Sequence, residues 1–204
     1  MSLSWYKIPE IPLKDYIKCL EGIYNILEEK HTGNTQTDIF LKKSYLSYYE
    51  KTEDEWDKIQ KIITFHRLLS MKFGDIHEEL MGKLPEYITL PSKHESKCDV
   101  RSKDETEYIE VKNNDHTMNS DSAKSVIHKL NNILKKGKHA MLILINSVKN
   151  TIPRFKACPE IEVLNGRQGY AHMSGRETFY DDLLETLEYT FYTFKTYTQL
   201  QEIV

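Results

Sequence analysis

The period of the apolar positions changes along the chain, and each change marks an element. After an entry broken by Pro9 and Pro12, Leu13, Ile17, Leu20, Ile23, Tyr24 and Leu27 recur at helical spacing. A polar loop follows at residues 31–35. A second helix is predicted over about residues 38–50, with Phe40, Leu41, Tyr45 and Tyr48 as its apolar side. Thr52 followed by Glu53, Asp54 and Glu55 reads as an N-cap with first-turn acids. It opens a third helix carrying Trp56, Ile59, Ile62, Ile63 and Leu69. A further helix covers residues 74–84, with Phe73, Ile76, Leu80 and Leu84 on one face. At about 100° per residue, Glu78 falls nearly opposite that face and is a surface position. Glu79 and His77 fall at its two edges, where Glu79 can reach a neighbouring site or remain a surface carboxylate.

The pattern then shortens. Residues 87–90 are extended and stopped by Pro91. Residues 97–101 form a short strand, residues 102–105 a polar turn, and residues 107–112 a strand of β-branched and aromatic character. With a period of two, Tyr108, Glu110 and Lys112 share one face and Ile109 and Val111 the other. A helix over about residues 122–136 turns Val126, Ile127, Leu130, Ile133 and Leu134 inward and Lys124, His128, Lys129 and Lys135 outward, with Gly137 as its cap. The unbroken apolar run of residues 140–145 predicts a buried central strand. Strand, helix and buried strand make a crossover unit. Extended segments are predicted at residues 160–164 and, at the sheet edge, 170–174. A final helix opens at Gly175, with Phe179, Leu183, Leu184, Leu187, Phe191 and Phe194 as its stripe. Tyr189, Tyr192 and Tyr197 at its end face the first helices or a second subunit. The fold class is therefore α/β: a central mixed β-sheet flanked by helices. The 204 residues fit one domain, with residues 1–70 a helical layer on a core of residues 71–204.

Composition narrows the partners. The hydrophobic fraction of 39% and charged fraction of 29% are globular values and exclude a disordered chain. The net charge of −3 does not favour nucleic acid, but its distribution does. Residues 124–156 hold eight Lys and Arg and no acid, whereas residues 157–204 hold three basic and eight acidic residues. That is the footprint of one anion-facing surface, or of a solvated basic helix face. Cys19, Cys98 and Cys158 are odd in number and show no zinc-site spacing, which suits reduced thiols in a cytoplasmic protein. There is no leader pattern and no apolar run near the ~20 residues that span a membrane.

The chemistry concentrates in one stretch. Glu-x-Lys occurs three times, at Glu28, Glu95 and Glu110. Only Glu110-x-Lys112 lies on a predicted strand, has a carboxylate (Asp99) eleven residues earlier on a partner strand, and leads into the crossover helix. Two carboxylates and a lysine at one end of a sheet suit a magnesium-dependent phosphodiesterase. The alternative is a cross-strand ion pair between Lys112 and Asp99, with Glu110 merely exposed.

Asp99…Glu110-Val111-Lys112 resembles the PD-(D/E)XK nuclease signature, and the run from Glu110 to Ser120 (Glu-Val-Lys-Asn-Asn-Asp-His-Thr-Met-Asn-Ser) is similar to the type II restriction endonucleases that cut GGNCC or GGWCC sites. Their signature is close to E-(V/M)-K-N-K-x-N-T-M-N-S. The helix from Gly74 through Glu78, the Cys98-Asp99-Val100 strand and the segment from Ser174 to Tyr180 resemble that group more loosely, so that the likeness spans about residues 74–185. Cys98 stands where the superfamily's name has proline, and Asn114 and His116 stand where Lys and Asn are expected. Those last two bear on the recognition sequence more than on the chemistry.

The resemblance implies a restriction-endonuclease-like core and cleavage of double-stranded DNA at a GGNCC-like site, leaving 5′-phosphates. It implies Mg²⁺, with Mn²⁺ as substitute, on Asp99, Glu110 and the Val111 carbonyl, with Lys112 orienting the attacking water; Glu79, from its place at the edge of its helix, would assist. Asn113, Asn114, His116, Thr117, Asn119 and Ser120 would meet the bases, although a loop with a helix cap also explains Asn119 and Ser120. Lys124 and Lys129 would meet phosphates. A near-palindromic site implies a two-fold homodimer and a cognate DNA methyltransferase. A repair or recombination nuclease on the same core, or an inactive DNA-binding module, are the other readings.

Overall fold

A computed structural model describes residues 3–29, 38–113, 118, 120–147 and 153–204. The sheet is built by β1 (Tyr87–Thr89), β2 (Val100–Ser102), β3 (Glu107–Lys112), β4 (His139–Leu144) and β5 (Glu162–Asn165). The strands lie side by side in chain order. The first three pair antiparallel and the last three parallel, so the sheet is mixed. β4, with Met141 to Leu144 fully shielded, is an interior strand between β3 and β5, as its unbroken apolar run requires.

The helices are α1 (Leu13–Glu28), α2 (Ile39–Tyr49), α3 (Glu53–Met81), α4 (Ser120–Leu134), α5 (Gly166–Ser174), α6 (Phe179–Thr193) and α7 (Tyr197–Gln201). α4 joins β3 to its parallel neighbour β4. Alternation along β3 and β4 divides the core. Ile109, Val111, Met141 and Ile143 belong to the cluster that includes residues of α1, α3, α5 and α6. Tyr108, Ala140, Leu142 and Leu144 belong to the cluster around Val126, Leu130 and Ile133 of α4. The mixed sheet flanked by helices is the expected α/β architecture.

Several elements differ from the pattern reading, each for a local reason. The third and fourth predicted helices are one 29-residue helix, α3, which runs unbroken across residue 70. Thr52 and Glu55 close its N-terminus as a capping box. Nothing between residues 70 and 74 breaks it, because a lone glycine, Gly74, costs only ~1 kcal/mol in a helix. The apolar side of α2 is not inward: Phe40 is 87% and Tyr48 80% exposed. Residues 170–174 are not an edge strand but the end of α5. Asn165 and Gln168 form a capping box at its start, and Gly175, at φ 70°, ends it in the left-handed conformation. The final helix therefore begins at Phe179 rather than Gly175.

The end of α3 is fixed to β1 by close backbone approach. A methyl group at Gly82 would fall onto the backbone nitrogen and hydroxyl of Thr89, and the same hydroxyl donates to the Glu78 carbonyl at 3.2 Å. Gly82→Ala is predicted to destabilise the protein by about 1–3 kcal/mol, read from its chemical denaturation midpoint. An unchanged midpoint would mean that the two elements are not in this contact.

Candidate active site

The site begins with a register. Val100 pairs with Ile109 across β2 and β3, and Asp99, one residue before that pair, comes beside Glu110, with which it shares the Lys112 ammonium. Asp99 itself lies just before β2, with its amide donating to the Ile109 carbonyl at 3.0 Å. Like charges side by side repel, and Glu110 is almost wholly buried, at 2% exposure. The arrangement holds because cations and donors surround it. Lys112 Nζ lies 2.7 Å from Glu110 Oε1 and 3.6 Å from Asp99 Oδ2, and donates to the Val111 carbonyl at 2.9 Å. The Val111 amide donates to Asp99 Oδ2 at 2.8 Å. The other Glu110 oxygen, Oε2, accepts from Lys129 of α4.

The proton affinities reflect this crowding. Burial raises the Asp99 carboxyl above its ordinary range, and repulsion by Glu110 adds to it, against the pull of Lys112 and the Val111 amide. Burial lowers the Lys112 amine, but the Glu110 and Asp99 carboxylates outweigh it and hold the amine above the usual lysine value. It is therefore an ammonium in this structure. Glu78 is raised to about 7, first by burial and then by Asp99.

The Lys112 ammonium thus touches three oxygens: one each from Asp99, Glu110 and the Val111 carbonyl. An all-oxygen set of this kind suits a small hard divalent cation, and the ammonium is a stand-in for its charge. Among the described residues no three His, Cys, Asp or Glu side chains cluster as ready metal ligands. Two carboxylates and a carbonyl suffice for Mg²⁺, which keeps several waters.

The predicted residues divide clearly. Asp99, Glu110, Val111 and Lys112 are brought together. Glu79 is not with them: it is 3.9 Å from Lys72 and acts on the Cys19 thiol of α1. Its neighbour Glu78, which the helical pattern assigns to the surface, is the α3 carboxylate that senses Asp99, Lys112 and Glu110. The signal was available only from tertiary structure, because a helix wheel does not show which strand edge passes its polar side.

Asn113 is engaged on both ends of its amide, donating to Ser70 of α3 at 3.1 Å and accepting from Asn146 at 2.6 Å. Ser120 is the first residue of α4. Lys124 is 79% exposed beside Asp121. Lys129 is turned inward onto Glu110 rather than outward, at 16% exposure. Asn114, His116, Thr117 and Asn119 lie outside the described residues.

An α/β sheet that gathers two carboxylates, a carbonyl and a lysine at the end of one strand defines a candidate phosphodiesterase core. The chain belongs to the Eco47II restriction endonuclease family, whose model matches residues 12–187. It is therefore a restriction endonuclease, a deoxyribonuclease that cuts DNA at specific sites. The match reaches back through α1 and α2, for which the sequence patterns offered no resemblance. The chain is also similar to the type II restriction enzyme Sau96I of Staphylococcus aureus, at 23% identity over 202 residues, covering 83% of this chain and 74% of that protein. No helix among the described residues is long and apolar enough to cross a membrane.

The Glu78 carboxyl binds its proton more tightly folded than unfolded. Its charge therefore costs stability as pH rises from about 4.5, its unfolded value, through about 7. Glu78→Gln is predicted to raise the unfolding temperature at pH 8 without divalent metal, by about 1 kcal/mol of stability once solvent screening of this half-buried group is counted, and to have little effect near pH 4.5. An equal effect at both pH values would contradict the electrostatic origin.

Proposed function

We propose that the protein is a type II enzyme that hydrolyses both strands of DNA with Mg²⁺ at Asp99, Glu110 and the Val111 carbonyl, leaving 5′-phosphates at a GGNCC-like site. The observation that carries this reading is the convergence of those three oxygens on one cationic group, the ammonium of Lys112. The similarity to Sau96I, described as a type II enzyme, and the Glu110-to-Ser120 run support the type and the site class. Mn²⁺, with the same preference for oxygen, substitutes.

A cation bound there supplies Lewis acidity toward the phosphoryl oxygen and lowers the pKa of a water it binds. The chain's own groups do the rest. Lys112, released from the three oxygens, orients the attacking water and stabilises charge developing on the phosphate. Glu78, with its proton affinity near neutrality, is suited to take a proton from that water. It takes the assisting place first assigned to Glu79.

Asn114, His116, Thr117, Asn119 and Ser120 are the base-reading residues, since Asn side chains pair with adenine and other polar groups meet neighbouring bases, while Asn113 is held by Ser70 and Asn146. Lys124, exposed at the start of α4, contacts phosphate. One such centre cuts one strand, so a second copy of the chain related by a two-fold axis cuts the other. The 204 residues act as one domain, and a cognate methyltransferase protects the host's own sites.

The test is cleavage of a large unmethylated DNA with Mg²⁺. Wild type is predicted to give discrete fragments. Asp99→Ala and Lys112→Ala should each lose about 10²–10³-fold or more. Glu78→Gln should lose about 10²-fold, while Glu79→Gln keeps wild-type rates. Intact DNA from wild type with either metal would remove the catalytic assignment, and equal losses in the two glutamate variants would remove the role of Glu78.

A further inference from the structure

Glu110 divides its two oxygens between different elements. Oε1 faces the strand end, where it shares the Lys112 ammonium with Asp99 and the Val111 carbonyl. Oε2 faces α4 and is held by Lys129. Lys129 is not placed as a phosphate contact would be. Its side chain is 16% exposed, whereas that of Lys124, one and a half turns earlier on the same helix, is 79% exposed. Lys129 lies three residues after Val126 and four before Ile133, which belong to the core cluster of α4 and the sheet, and its ammonium ends on a carboxylate that is almost fully buried.

We propose that Lys129 is a positioning residue that restricts Glu110 to one-oxygen ligation and so biases the site toward Mg²⁺ over Ca²⁺. The chemistry follows from the two ions. Mg²⁺ demands a near-regular octahedron of single oxygens at short distance. Ca²⁺ is larger, takes six to eight oxygens, and gains from a carboxylate that offers both of its own. An ammonium fixed on Oε2 withdraws that oxygen and leaves Oε1 alone for the metal. It also balances part of the charge of the Asp99 and Glu110 pair without standing between them.

This inference rests on the metal assignment made above, and the experiment separates the two. The full-length protein without DNA is titrated by calorimetry with MgCl₂ and with CaCl₂, as wild type, Lys129→Met, Lys129→Arg and Asp99→Asn. Circular dichroism checks that each variant is folded. Lys129→Met removes the ammonium and keeps a stem of similar length. It is expected to shift the Ca²⁺-to-Mg²⁺ affinity ratio toward Ca²⁺ on the order of tenfold. Lys129→Arg, which keeps the cation, should retain the wild-type ratio even if Lys129→Met folds poorly. In DNA binding, the slope of log affinity against log salt should be unchanged by Lys129→Met but reduced by Lys124→Met.

An unchanged metal ratio in Lys129→Met would overturn the proposal, as would a salt slope reduced by about one phosphate contact. If metal binding is nonetheless lost in Asp99→Asn, the metal assignment survives that failure. Absence of metal binding in wild type would remove both.

Discussion

Glu110 is a buried carboxylate set beside a second carboxylate, Asp99, and such a placement is unfavourable by itself. What makes it tenable is a pair of ammonium groups, one from its own strand and one from the crossover helix, on its two oxygens. The surrounding elements can be understood as the means of delivering those groups. β3 sets Glu110 and Lys112 on one face; its parallel partner β4 requires a crossover, and α4 is that crossover. The helix packs by Val126, Leu130 and Ile133, which brings Lys129 within reach of Oε2. On the other side of the sheet α3 brings Glu78 near Asp99 and is held by Thr89 at its end. A site in which carboxylates crowd and protons are held too tightly is costly to the apo protein. Perturbed carboxylates of this kind cluster at functional sites.

The cost has a counterpart in function. Under the proposed metal assignment, the Lys112 ammonium that contacts these three oxygens would be the site's own counter-ion until metal binds. In that reading Lys112 would leave the slot for the reacting phosphate. Lys129 would remain bound to the outer oxygen of Glu110. The two lysines on one carboxylate would then differ in kind: one would exchange with metal and the other would stay.

The central hairpin, the crossover helix and β4 were legible because period-two alternation, helical spacing and an unbroken apolar run are local signals. So was the gathering of Asp99, Glu110 and Lys112, since strand register alone carries side chains to one face. The failures came where local and tertiary signals part. Residues 170–174 look extended until the Asn165–Gln168 cap two to five residues upstream is recognised. The apolar side of α2 predicts burial, yet Phe40 and Tyr48 are exposed. Glu78 and Lys129 both sit on helices whose polar sides look solvated in a wheel. Lys129 is drawn inward by a strand carboxylate, and Glu78 is set beside one by the packing of α3 against its repulsion; neither helix sequence registers this.

Manganese binding, followed by electron paramagnetic resonance in the absence of DNA, tests most directly whether Lys112 stands in the place of a divalent cation. Lys112→Ala vacates the three oxygens and is predicted to bind Mn²⁺ more tightly than wild type, while Asp99→Ala loses the site. Weaker or unchanged binding in Lys112→Ala would contradict the account, because the ammonium would then not be competing for those oxygens.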